Sequence, residues 1–474
     1  MATHGTACRT CRRRGRKCDR TLPRCLSCEQ RRVPCEGYIT RWPGVAARGK
    51  LAGQSIPVYQ GHSSNLEAGP PEATPSSPVM WNDMRSKTAS DFNAVMDPRQ
   101  PYRSSSSIMT LPPCAEDLMM DRLVRHYVND FSNIFYLGKE QSSNPMFRYV
   151  LPLMNTVPPI RYAIAASTLC HVASRSSQPN LDQRSLQLRV QATHMLRQRL
   201  SYPGAAMDES IIATILMLAQ VDMCSGECLE FETHIQAAIA IIRNLRQGQT
   251  SSRHYFEQRL IWLDIMACTT SVRPPFFTIE EIRTSLDRLS TAASREWCYD
   301  VFPCPVQLFE VLVDIVMLKK TTRMINVEQT IVEAQDLMGR LNEWTRNDDL
   351  RTPRRHTVQI WRLGIKAYLL RLFPSIGQSV QAIKAEAIQL SILVPPATPW
   401  SYSLLWPMFQ VGLLLDCESA AEKAWITNRL AIAHEAVGCR HFTNALETLR
   451  SIWDNPPQMN SPIRNTHGGV VMLA

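Results

Sequence analysis

No apolar run opens this chain, so its polar and basic start predicts no secretory signal. One uncharged stretch, residues 387–415, is long enough to test as a membrane span. It carries Pro395, Pro396, Pro399 and Pro407, which exclude one continuous spanning helix and mark it as buried interior. A soluble, intracellular and reducing setting follows, in which clustered cysteines hold metal more often than they form disulfides. There is no succession of alternating strand patterns, no G-x-S-x-G, no Rossmann glycine pattern and no pair of catalytic carboxylates, so no enzyme is expected. Two near matches fail on single residues. Gly44 and Gly49-Lys50 resemble a phosphate-binding loop, but Leu51 stands where Ser or Thr is required, with no strand before it. His434-Glu435 begins a zinc-protease motif, but Gly438 replaces its second histidine. Cys224 and Cys228 read as packed thiols at a helix junction.

At 474 residues, 45% hydrophobic and 20% charged, the chain is globular and too long for one typical domain. Its formal net charge of +10 is unevenly spread. Residues 1–50 hold thirteen Lys and Arg against Asp19, Glu29 and Glu36, which accounts for the whole excess; the remainder is balanced. A polyanion is the expected partner of that first segment.

Six of the fifteen cysteines lie in the same segment, and no histidine lies among them. Cys8, Cys11 and Cys18 recur as Cys25, Cys28 and Cys35 at a constant offset of 17, an internal duplication. Zinc takes four ligands in a tetrahedron, so two ions need about eight coordination positions. Six thiolates suffice if two of them bridge, and the approximate two-fold relation makes Cys8 and Cys25 the natural pair. A segment of roughly thirty residues buries too little apolar surface to fold alone, so metal supplies its folding free energy.

The two repeats differ in charge. Between Cys11 and Cys18 the chain reads RRRGRK; between Cys28 and Cys35 it reads EQRRVP. A short helix after each C-x2-C would present Arg12, Arg13, Arg14, Arg16 and Lys17 from the first repeat. Such side chains neutralise phosphates, and a bidentate arginine reads guanine O6 and N7 in the major groove. Double-stranded DNA is therefore the expected partner.

The spacing, "CRRRGRKCDR" and Pro23 before the fourth cysteine resemble the fungal binuclear zinc cluster transcription factors over residues 8–35. The resemblance implies two zinc ions per chain held by Cys8, Cys11, Cys18, Cys25, Cys28 and Cys35, with the first and fourth as bridges. It implies recognition of CGG-type triplets, with Arg14 and Gly15 at the family's base-reading positions; glycine there departs from the usual Lys or Arg and removes one base contact. It further implies a nuclear, sequence-specific regulator of RNA polymerase II transcription that works with the transcription machinery or co-regulators. Relatives of this size often govern one pathway, so the expectation is an activator of a metabolic or secondary-metabolite gene cluster. A repressor or a ligand-responsive regulator is the alternative, and a zinc-binding scaffold that does not read DNA is the rival from another class. No coiled-coil heptads follow the cluster: Gly37, Pro43, Gly44, Gly49, Gly53, Pro57 and Gly61 interrupt them. The chain then acts as a monomer or pairs as a homodimer through its helical domain.

The expected organisation is a zinc cluster at 1–40, a disordered Pro/Ser-rich linker at 41–113, an all-α regulatory domain at 114–455 and a flexible tail at 456–474. The fold class is mainly α. Helical periodicity begins near residue 114, where Met120, Val124, Tyr127, Val128, Phe131, Ile134 and Phe135 share a stripe. Further helices are read in 182–200, 208–221, 229–248 and 418–438, and Thr278 with Glu281 forms a capping box. The segment "SLLWPMFQVGLLL", residues 403–415, resembles a tryptophan-proline segment of the second type of fungal-specific transcription factor domain. That implies a regulatory role for most of residues 114–455.

Overall fold

The structure is a computed structural model. It describes residues 7–21, 25–33 and 35, and those from 115 to 473 except 139, 177, 246–250, 292–300, 322–325, 346–351, 399, 456–462 and 465–469. The expected linker at 41–113 and the helix-ending Gly248 lie outside the described residues. The chain divides into two compact units, 1–77 and 78–474. The first contains α1 (Arg9–Arg13) and α2 (Leu26–Gln30), treated below with the site.

The second unit begins with α3 (Ala115–Asn129), α4 (Pro158–Ser176), α5 (Pro179–Leu200), α6 (Glu209–Ser225) and α7 (Phe231–Asn244). It continues through α8 (Ser251–Cys268), α9 (Ile279–Thr291), α10 (Val306–Thr321), α11 (Val327–Glu343) and α12 (Thr352–Leu372). It ends with α13 (Val380–Ile392), α14 (Trp400–Ser403), α15 (Leu405–Gly412), α16 (Ala420–Val437) and α17 (His441–Asp454). No strand occurs among the described residues; Arg464 and Val470 form an isolated bridge. The mainly α class read from the periodicity is the class observed. No helix among the described residues is long and apolar enough to cross a membrane.

Local chemistry sets the ends of these helices. Asp208 accepts from Ser210 N at 2.9 Å to open α6, and Gly226, at φ 77°, closes it. The capping box before α9 is present in both directions: Thr278 N donates to Glu281 Oε2 at 2.9 Å and Glu281 N to Thr278 Oγ1 at 3.2 Å. Gly438, the residue that spoils the protease motif, is the left-handed stop of α16 at φ 70°. His434 is held instead by Ser174 Oγ at 2.9 Å. The stripe read along α3 buries Met120, Val124, Tyr127, Phe131 and Ile134, with Val128 and Phe135 packed at its edge. It is not one helix, however. The α-helix ends at Asn129 and the stripe continues through a 3-10 turn, Phe131–Phe135, because Ser132 and Asn133 side chains bond the carbonyls of Val128 (3.2 Å) and Asn129 (2.7 Å).

The uncharged stretch 387–415, expected to be buried interior, is core only in part: Ile392 and Leu393 are exposed, whereas Leu404, Leu405, Trp406, Met408, Phe409 and Val411 are buried. Trp406 is fully buried and stacks on Trp361 at 5.1 Å, and its Nε1 donates to Thr269 Oγ1 at 2.9 Å. Trp262 continues this aromatic column at 5.5 Å from Trp361. Pro407 sits in the first turn of α15, where its missing N–H leaves no bond unmade. Its Cβ lies 2.5 Å from where a Cβ on Gly364 would stand, so glycine in α12 permits the close approach. Buried charges are mostly matched. Arg189 meets Asp222 at 2.6 Å, and Asp222 also bonds His234 at 3.1 Å. Arg429 donates to the Ser391 and Val394 carbonyls at the end of α13, at 2.7 and 2.9 Å.

The expected tail is not loose where it is described. Val470, Val471, Met472 and Leu473 are buried in the main core. Ile463 N donates to the Thr270 carbonyl at 3.1 Å, and Thr270 Oγ1 to the Val471 carbonyl at 3.0 Å. This replaces the expected flexible end where it is described: four consecutive apolar residues join the main core, tied to Thr270 just after α8.

Candidate metal centre and nucleic-acid interface

The duplication seen in the cysteines extends to the backbone. α1 and α2 start and end at the same offset of 17, and each begins with a cysteine at its N-cap, Cys8 and Cys25. Each closes with the same pair of bonds. Gly15 N reaches the Arg12 carbonyl (3.3 Å) and Arg16 N the Cys11 carbonyl (2.9 Å); Arg32 N reaches Glu29 (2.9 Å) and Val33 N reaches Cys28 (3.1 Å). This is a Schellman ending in both repeats, and it demands a left-handed residue at Gly15 (φ 60°) and Arg32 (φ 50°).

Folding the repeats together gathers the sulfurs. The thiols of Cys8, Cys11, Cys25 and Cys28 lie within 4.8 Å of one another, and Cys18, Asp19 and Cys25 form a second group. Cys25, one of the two expected bridges, belongs to both. Sulfur–sulfur distances are 3.4 Å for Cys18–Cys25, 3.6 Å for Cys11–Cys28, 3.7 Å for Cys8–Cys28 and 3.8 Å for Cys11–Cys25. With Zn–S near 2.3 Å, a tetrahedral edge is about 3.8 Å, so the spacing suits zinc. Cys35 packs against the same cluster. Cys11 and Cys28 are closer together than two ligands of separate ions need to be.

The surroundings do not favour bare thiolates. Burial pushes the Cys8 and Cys25 thiols up and that of Cys28 up to about 12. Cys18 behaves differently: burial opposes its thiolate, but amide donors, with Cys8 N at 3.3 Å, hold it down to about 7. A divalent cation among these sulfurs supplies the charge compensation that the apolar setting withholds.

Asp19 escaped the sequence reading. Its Oδ2 accepts from Ser27 N at 2.8 Å in the first turn of α2, and its Oδ1 from Thr21 N at 3.3 Å and Thr21 Oγ1 at 3.1 Å. It ties the first repeat to the second helix. No local capping pattern could reveal this, because the partner lies eight residues ahead.

Arg12, Arg13, Arg14, Arg16 and Lys17 are all exposed on the turn that leaves α1. Arg12 and Arg13 stand in the last turn of that helix, where its carbonyl end favours cations. The five are exposed within six consecutive positions, while Cys8, Cys11, Cys25 and Cys28 of the same module are buried.

Comparison with known proteins agrees with this geometry. The profile described as "Fungal specific transcription factor domain" matches residues 122–464, well over half the chain. The chain belongs to that family. The "Fungal Zn(2)-Cys(6) binuclear cluster domain" matches residues 6–42, so the cofactor is two zinc ions. The transcriptional regulatory protein moc3 of Schizosaccharomyces pombe is 34% identical over 113 residues, 24% of this chain and 21% of that protein. The match thus spans about a fifth of that relative's length. No solved structure matches the chain.

Proposed function

We propose that this transcription factor acts in the nucleus as a sequence-specific regulator of RNA polymerase II genes, with the cluster holding it on CGG-type triplets. Cys8, Cys11, Cys18, Cys25, Cys28 and Cys35 hold the two zinc ions, with Cys8 and Cys25 as bridges. Arg14 reads a guanine edge, while Arg12, Arg13, Arg16 and Lys17 hold phosphates. The observation that carries this reading is the set of five exposed cations on the end of α1 and the turn after it, beside Cys8, Cys11, Cys25 and Cys28, each at 2% exposure or less. Phosphate contacts position such a module and base contacts specify its site.

Pathway-level activation of a metabolic or secondary-metabolite gene cluster, recruitment of the transcription machinery or co-regulators, and pairing through the helical domain complete the proposal. Support for it comes from the size of the helical domain and the regulatory description of the relative. Residues 1–40 serve as the DNA module, 41–113 as spacer and 114–455 as regulator. A reporter driven by the bound promoters tests the sign. Deleting residues 114–474 should abolish its output; increased output would mean repression instead. Binding should weaken by about 0.9 log units per log unit of salt for each phosphate neutralised. Binding that ignores salt and sequence would leave a zinc scaffold.

A further inference from the structure

We propose that the helical domain carries a redox-sensitive latch, in which a hydroperoxide oxidises Cys224 at the end of α6 and Cys439 in the turn between α16 and α17 to a disulfide that fixes the two segments together. The Cys224 and Cys439 Sγ atoms lie 3.7 Å apart, and the two residues are 1% and 0% exposed. A disulfide spans about 2.05 Å, so the sulfurs need a small approach rather than a rearrangement. Their separation of 215 positions puts the pair beyond any local motif.

The backbone beneath the pair is already joined. Arg440 N donates to the Cys224 carbonyl at 3.0 Å, and Asn444 Nδ2 in α17 donates to the Gly226 carbonyl. Gly226 lets the segments come this close, since a Cβ there would stand 3.1 Å from Arg440 Cβ. The Arg440 guanidinium is itself held by Asp182 of α5, at 2.7 and 2.8 Å. None of these contacts uses a sulfur, so the two thiols are placed by packing that stays in force whether or not they are bonded. Cys228 is not the partner: its Sγ donates to the Asp222 carbonyl at 3.4 Å.

The chemistry balances with a hydroperoxide as oxidant. One thiol, as thiolate, attacks the peroxide oxygen; the O–O bond breaks and leaves a sulfenic acid and an alcohol. The second sulfur then attacks the sulfenic sulfur, the S–S bond forms and water departs. Two electrons pass from the sulfurs to the peroxide, and the two thiol protons end on the alcohol and the water. Burial holds the Cys224 thiol protonated, so the reaction waits on local opening of the turn, and the latch answers sustained rather than brief oxidation. Once made, the bond closes a loop covering most of the helical domain, the kind of cross-link that restricts the unfolded chain most. The latch belongs to the helical domain and stands whether or not the DNA reading holds.

The test treats the zinc-loaded full chain with tert-butyl hydroperoxide, blocks the remaining thiols, digests without reductant and maps the peptides by mass spectrometry. A cross-linked pair joining Cys224 to Cys439 is expected, and dithiothreitol should release it. The same treatment of the urea-unfolded chain should show no preference for that pair. By circular dichroism the oxidised chain should melt a few degrees above the reduced one. Cys439→Ala should lose both the cross-link and the oxidant-dependent shift; if it does not fold, Cys224→Ser carries the same comparison. Absence of the Cys224–Cys439 pair from the oxidised folded chain overturns the latch. So does a midpoint that oxidation leaves unchanged, or a shift of equal size in the variant.

Discussion

The two repeats of the zinc module follow one backbone path and carry different charge. Helix, left-handed turn and sulfur positions recur between α1 and α2, while the side chains between the cysteines diverge. Arg14 corresponds to Arg31, and Gly15 to Arg32, but Arg12, Arg13, Arg16 and Lys17 face Glu29, Gln30, Val33 and Pro34. Metal coordination depends on thiol spacing, so it constrains both halves alike. Affinity for a polyanion depends on local charge density, so it needs only one half. The comparison also explains why glycine stands at position 15. Gly15 occupies a left-handed turn with nothing within 4 Å of its absent Cβ, so backbone conformation rather than crowding favours glycine there. Arg32 accepts the same conformation at a cost of about 1–2 kcal/mol.

The largest effect expected is on the shared part. Cys18→Ala, or stripping zinc with a chelator, should unfold the module; metal analysis and circular dichroism of a fragment spanning the cluster would show it. A folded variant that keeps two zincs would break the ligand assignment. Next comes the functional asymmetry. Arg14→Ala should lose about 1–3 kcal/mol at one guanine position, whereas Arg31→Ala should change specific binding by less than about 0.5 kcal/mol. Equal losses in a binding titration would mean that both repeats touch bases. Asp19→Ala removes the clamp on α2 and should lower the stability of the zinc-loaded module by about 1 kcal/mol, the usual worth of an N-cap. The smallest effects separate the two turns: Gly15→Ala should destabilise by about 1 kcal/mol and Arg32→Gly should stabilise by a similar or smaller amount. Denaturant melts of the holo-module would measure both; a stabilising Gly15→Ala or a destabilising Arg32→Gly would show that the turns are not equivalent.

Much of the site was legible because its logic is countable. Ligand number, repeat offset and charge were present in one short stretch, and the sulfurs do converge on Cys25. The capping box at Thr278 and the stop at Gly438 were equally local signals, although Gly438 was read as a failed motif rather than a helix end. The break in the α3 stripe at Asp130 was hidden, because apolar spacing persists through the 3-10 turn that follows. Asp19 was hidden because its partner is on the other repeat.

By itself the sequence determined the helical class, the zinc stoichiometry and the location of the cationic surface, since each follows from periodicity, valence or net charge within a few tens of residues. Only the tertiary structure decided which distant groups meet. It set Gly364 against Pro407 and buried Val470–Leu473 beside Thr270. Those outcomes depend on how helices pack, and close packing joins residues far apart in the chain that no local pattern relates.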